Sequence, residues 1–95
     1  MTEVQKLLND LAQKIDLVHT ESALLAAEIE GATVQAVGDF AAGYITAADV
    51  IEIVENYQDS LASKAATEYV KLSKKGQETV REIVVSVLTV FGAMI

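Results

Sequence analysis

The sequence predicts an all-α fold, a helical hairpin or three-helix bundle of long amphipathic helices closed by a strongly apolar C-terminal helix. Three observations carry this. Apolar residues recur at alternating spacings of four and three from Val4 to Ile29, Thr46 with Asp49 forms a capped helix start, and the last thirteen residues, Ile83 to Ile95, hold no charge. The 95 residues include no proline, which a helical chain tolerates and a turn-rich β chain normally does not.

In the first helix Val4, Leu8, Leu11, Ile15, Val18, Ser22, Leu25 and Ile29 form a heptad seam. Leu7, Leu17 and Leu24 widen it, while Lys6, Asn9, Asp10, Gln13, Asp16 and Glu30 fall largely outside it. Such a coiled-coil-like face wants a partner helix. Ser22, the polar member of the seam, is expected to bond back to a carbonyl of its own helix. The helix spans 2–30 if Gly31 is its C-cap, or 2–37 if it stops at Gly38. Continuation would gather Ala27, Gly31, Gln35, Gly38 and Ala42 into a stripe of mostly small residues. Ending would avoid the cost of about 1 kcal/mol for an internal glycine.

Residues 38–45 read as a loop with glycines at Gly38 and Gly43 and an apolar pair to anchor it. Thr46 and Asp49 then make a capping box, with Ile45 placed to staple onto Val50. The second helix is expected over 46–73, with Val50, Val54, Tyr57, Leu61, Ala65, Tyr69 and Leu72 facing inward. Its acids, Asp49, Glu52, Glu55 and Asp59, come early and its cations Lys71, Lys74 and Lys75 late, as the helix dipole favours. Gly76 caps this helix or kinks the chain before a tail helix over 77–94.

In the tail, Thr79, Glu82, Ser86, Thr89 and Ala93 form a narrow polar or small stripe. Val80, Ile83, Val84, Val87, Leu88, Phe91 and Ile95 cover most of the remaining circumference, wider than the apolar face of an ordinary surface helix. The β-branched run from Ile83 to Val90 also suits a buried strand. Helix is preferred, because no other segment supplies a sheet partner.

The length fits one domain in which a single core is marginal. Without cysteine there is neither a disulfide frame nor a thiolate ligand or nucleophile. Charge is divided: residues 1–60 carry two Lys against eleven Asp and Glu, a net of −9, and residues 61–95 carry four Lys and one Arg against three Glu, a net of +2. The acidic two-thirds would repel phosphates, which argues against DNA or RNA as a partner. Lys71, Lys74, Lys75 and Arg81 are the one place a small anion or acidic partner could dock, and read first as a solvated helix end. Met1 to Lys6 lacks the basic start and apolar block of a signal peptide, so residence in the cytoplasm is expected, with secretion without a cleavable signal left open. No run reaches the roughly 18 to 20 apolar residues of a membrane span, so membrane contact is not favoured.

Four constellations hold residues of the kinds that carry chemistry. Gly43 to Asp49 resembles the second half of an EF-hand loop, but that alignment puts Gly38, Phe40 and Ala42 where oxygen ligands belong. Asp16 and His19 stand at i and i+3 like one element of a di-metal helical bundle, yet His19 is the sole histidine and a metal site would need symmetry-related copies. Glu52, Glu55 and Asp59 lie on adjoining faces, but no apolar pocket is evident to separate their pKa values for acid–base work. Asp59-Ser60-Leu61 resembles the attachment triplet of acyl carrier proteins, but the helix after it carries Lys64, Lys71, Lys74 and Lys75 instead of acids. No glycine elbow or phosphate loop accompanies the hydroxyls. No metal, no cofactor and no enzyme activity are expected.

The function expected is protein–protein contact, as a structural subunit of a helical homo-oligomer. With 52% hydrophobic residues, a small monomer has little interior in which to hide its apolar seams and tail. The expected interface is Ile83, Val84, Val87, Leu88, Phe91 and Ile95 of the tail with Leu8, Leu11, Ile15 and Val18 of the first seam. One alternative is a small acidic inhibitor or immunity-type protein, whose Asp49, Glu52, Glu55 and Asp59 face pairs with a basic target. Another is a membrane-active or secreted helical hairpin, similar in size to the tryptophan-x-glycine family but without a tryptophan.

Overall fold

The computed structural model describes residues 2–61 and 66–95. Among them the regular structure is entirely helical: α1 (Glu3–His19), α2 (Ala23–Ala32), α3 (Val34–Ala41), α4 (Ala47–Leu61), α5 (Ala66–Lys71) and α6 (Lys74–Gly92). α1 packs chiefly on α6 and α2, and α4 on α6. Leu7 shares a shallow groove with Val90, Lys14 Nζ lies 3.7 Å from Glu82 Oε2, and Glu21 bonds Ser73, so α1 and α6 run antiparallel along their lengths.

The continuous first helix expected over 2–30 or 2–37 is instead three helices. The first break falls at Thr20-Glu21-Ser22. Ser22 is extended (φ −153°, ψ 103°), and its Oγ accepts from Leu25 N at 3.1 Å as the N-cap of α2, so it does not bond back along a continuous helix as its seam position suggested. Serine at this place satisfies an otherwise orphaned helix donor, and the side of α2 bearing Leu25 and Ile29 folds into the same core as α1. The second break is at Thr33, whose buried Oγ1 donates to Ile29 O at 2.7 Å. Neither break is at a glycine: Gly31 lies within α2 and Gly38 within α3, both on the exposed side.

Because α3 reaches Ala41, the loop is shorter than the expected 38–45. It begins with Gly43 at φ +83°, which places Gly43 N on Phe40 O at 3.0 Å and Tyr44 N on Asp39 O at 2.9 Å. These are the two bonds of a Schellman motif, for which glycine is the residue without a Cβ penalty. At the next helix start Thr46 N donates to Asp49 Oδ2 at 2.9 Å and Asp49 N to Thr46 Oγ1 at 3.2 Å, completing the capping box.

The long helix expected over 46–73 stops being continuous by Leu72: α5 ends at Lys71 and α6 begins at Lys74. Ala65, expected to face inward, lies outside the described residues. Gln77 Nε2 donates to Val70 O and Leu72 O, each at 3.4 Å, using carbonyls that the end of α5 leaves open. Gly76, expected to cap or kink, sits in the first turn of α6, and its N–H donates to Ser73 Oγ at 3.0 Å.

The core is one cluster: Leu7, Leu11, Ile15 and Val18 of α1; Leu25, Ala26 and Ile29; Ala36 and Val37; Val50 and Val54; Leu72; and Val80, Ile83, Val84, Val87 and Phe91 of α6. Each fully buried aliphatic or aromatic side chain contributes roughly 1.5–3 kcal/mol. Phe91 is fully buried and meets Phe40 edge to face, with ring centroids 4.9 Å apart. The radius of gyration, 12.6 Å, is that of a compact chain of this length.

Candidate interaction surface

Of the ten residues read as an oligomer interface, Leu11, Ile15, Val18, Ile83, Val84, Val87 and Phe91 are buried inside their own chain. Leu8 and Leu88 are half-buried against that core, and Ile95 is 76% exposed. The physical reason is the antiparallel pairing of α1 with α6: the first seam finds its partner helix in the tail of the same molecule. The premise that a single copy lacks the interior to cover these residues is therefore corrected.

The expected polar stripe of α6 holds at Glu82, Thr89 and Ala93, which are exposed, and at half-buried Ser86, but not at its first member. Thr79 is buried, its Oγ1 donating to Lys75 O at 2.9 Å, which removes the cost of sheltering a hydroxyl. Val85 instead points outward and is 56% exposed. It stands at the lip of a groove of about 280 Å³ between α4, α5 and α6, lined by Gln58, Leu61, Tyr69, Arg81, Val84 and Val85. The pattern of α6 alone could not mark Val85, because an almost all-round apolar helix does not say which side faces out. Knowing its neighbours does.

On α4, Val50 and Val54 are buried and hold the helix to the core, while Asp49, Glu52, Glu55 and Asp59 are all exposed. The four are not equivalent. Asp49 is engaged by the backbone N–H and the hydroxyl of Thr46, and these bonds hold its carboxyl below the usual carboxylate range. Its first duty is the helix cap. Glu52 and Glu55 form no ion pair among the described residues. Gln58, one turn after Glu55, lines the groove.

Of the cations, Arg81 lines the groove. Lys71, Lys74, Lys75 and Arg81 are exposed, and Lys71 Nζ is 3.8 Å from Glu68 Oε1. Glu82 is matched to Lys14, which also pairs with Asp10 at 3.0 Å.

The remaining titratable features are isolated. His19 and Asp16 are exposed on α1, and among the described residues no three His, Cys, Asp or Glu side chains gather to hold a metal ion. The buried hydroxyl of Tyr57 has no hydrogen-bond partner among the described residues. Burial, with Glu28 nearby, pushes its pKa above the ordinary phenol range. Among the described residues no helix is long and apolar enough to cross a membrane. Comparison with known proteins finds no matching family model, no matching curated protein and no matching solved structure.

Proposed function

We propose that this chain acts by protein–protein contact, as a subunit of a homo-oligomer, and not by catalysis. The observation that supports this reading is the apolar groove at Leu61, Tyr69, Val84 and Val85, which remains open on the surface after the core has closed. With the α1 and α6 seams committed to the fold, the contact is a surface patch and not the obligate, core-like interface that the apolar tail suggested. Light scattering at low and high concentration tests it. A mass that rises to a defined multiple supports the reading, and a chain that stays monomeric at both overturns it.

A second reading is an acidic inhibitor-like protein whose α4 face binds a basic protein. Its support is the exposure of Glu52 and Glu55 without an ion pair among the described residues. It predicts association with a basic target that weakens steeply with salt while the chain alone stays monomeric.

A further inference from the structure

We propose that the groove between α4, α5 and α6 binds a small anionic amphiphile, a short hydrocarbon chain ending in a carboxylate, with Arg81 holding the head group. This goes beyond the assembly reading. The site is complete within one chain, and a second copy seated on the groove would compete with the ligand.

The lining of the groove has two parts. Leu61, Tyr69, Val84 and Val85 supply an apolar wall, while Gln58 of α4 and Arg81 of α6 supply polar side chains. Among the described residues no carboxylate lines it. The wall is held by the fold, since Val84 is buried and Leu61 and Tyr69 are half-buried. The Tyr69 hydroxyl donates to Gln77 O at 3.5 Å, which leaves Gln58 and Arg81 to meet a head group. An apolar surface with a cation and no acid in its lining suits a ligand that is apolar along its length and negative at one end.

Arg81 is uncommitted by the fold. It also borders a second groove with Lys14, Glu78 and Glu82, but Glu82 is matched by Lys14 at 3.7 Å. Among the described residues Arg81 forms no ion pair. Its guanidinium is therefore available for a carboxylate, which it can bind through paired N–H bonds in a way that a lysine cannot. The volume of about 280 Å³ falls just below the roughly 300–1,000 Å³ of sites for drug-sized ligands. The occupant is accordingly short-chained and weakly held, with a Kd on the order of a millimolar.

Nuclear magnetic resonance titration of the isotope-labelled full chain with octanoate, and with octanol as its uncharged counterpart, tests this in the wild type, Arg81→Gln and Val85→Ser. Both substituted positions are exposed, and circular dichroism checks that each variant keeps its helicity. The expected result is saturable octanoate shifts at the amides of Leu61, Tyr69, Val84 and Val85, with octanol bound roughly fivefold more weakly. Arg81→Gln should bring octanoate down to the level of octanol and leave octanol unchanged, whereas Val85→Ser should weaken both. Octanoate shifts that never saturate or that map away from the groove overturn the proposal, as does a preference for octanoate that survives in Arg81→Gln. Groove shifts that follow chain concentration, with none on adding octanoate, identify a second copy as the occupant; they overturn the proposal and leave the assembly reading standing.

Discussion

Glu21 and Ser73, 52 residues apart in the chain, are joined by two hydrogen bonds: Ser73 N donates to Glu21 Oε1 at 2.6 Å and Ser73 Oγ to Glu21 Oε2 at 2.9 Å. The α1–α2 turn thereby supplies a carboxylate to the start of α6, where open N–H groups and the helix dipole favour negative charge. Beside it, Ser22 Oγ donates to Glu68 Oε2 at 3.2 Å. Residues that interrupt the first seam also fasten the last third of the chain.

Gly76 belongs to the same arrangement, since a Cβ there would lie 2.6 Å from Glu21 Oε2. Glycine costs about 1 kcal/mol in a helix relative to alanine, and Gly76→Ala would recover that while displacing a carboxylate worth about the same. Gly76→Ala is therefore expected to change stability little in the wild type, but to stabilise by about 1 kcal/mol in a Glu21→Ala background. Glu21→Ala alone should cost about 1 kcal/mol, a fall of roughly 4–8 °C in Tm. Thermal and urea unfolding of the four proteins checks this. Strict additivity of the two substitutions would show that the contact carries no energy.

The glycines divide by conformation. Gly43 has φ +83°, while Gly31 and Gly38 are helical with open space where a Cβ would go. Gly43→Ala should destabilise by about 1–2 kcal/mol. Gly31→Ala and Gly38→Ala should each stabilise by up to about 1 kcal/mol. Urea midpoints rank the three directly, and a Gly43→Ala protein as stable as the wild type would contradict the Schellman closure.

These positions also show what could be read from residues alone. The capping box at Thr46 was legible because its chemistry is local: two side chains, three residues apart, satisfying each other's backbone. Leu11, Ile15, Val18, Leu25 and Ile29 were legible as a buried face because heptad spacing survives the turn between α1 and α2. The turn itself was not, since serine suits a tolerated seam position as well as an N-cap, and the choice depends on Glu21 reaching Ser73. On the surface, Glu52 and Glu55 were legible as a solvated face. The groove was not, because Leu61, Tyr69 and Val85 become neighbours only when α4, α5 and α6 are placed together.

Tyr57 gives a pH dependence with a definite sign. Its pKa is raised in the folded chain, first by burial and then by Glu28, so the folded state holds the phenol proton more tightly than the unfolded state does. Below about pH 10 both states are protonated and the group has no effect on the slope; above it the unfolded state ionises first and stability falls. Tyr57→Phe should remove that part of the alkaline loss. At neutral pH it should be neutral or stabilising by about 1 kcal/mol, since it deletes a buried hydroxyl with no partner among the described residues. Urea titrations at pH 7 and above pH 10 would contradict this if the variant lost stability with pH as steeply as the wild type.

Phe91 and Val85 separate the two roles of α6. Phe91 is fully buried and meets the ring of Phe40 edge to face, so Phe91→Ala removes both transfer energy and packing and should cost about 3–5 kcal/mol. Val85, 56% exposed at the groove lip, has little folding energy to lose, and Val85→Ser should leave monomer stability within about 0.5 kcal/mol. Unfolding measured at low concentration, where association contributes little, isolates this comparison. If the tail were instead covered by neighbouring copies, Phe91→Ala would weaken association while barely changing the stability of the isolated chain. A large loss for Phe91→Ala that is independent of protein concentration, beside a small one for Val85→Ser, is what a tail buried in its own molecule requires.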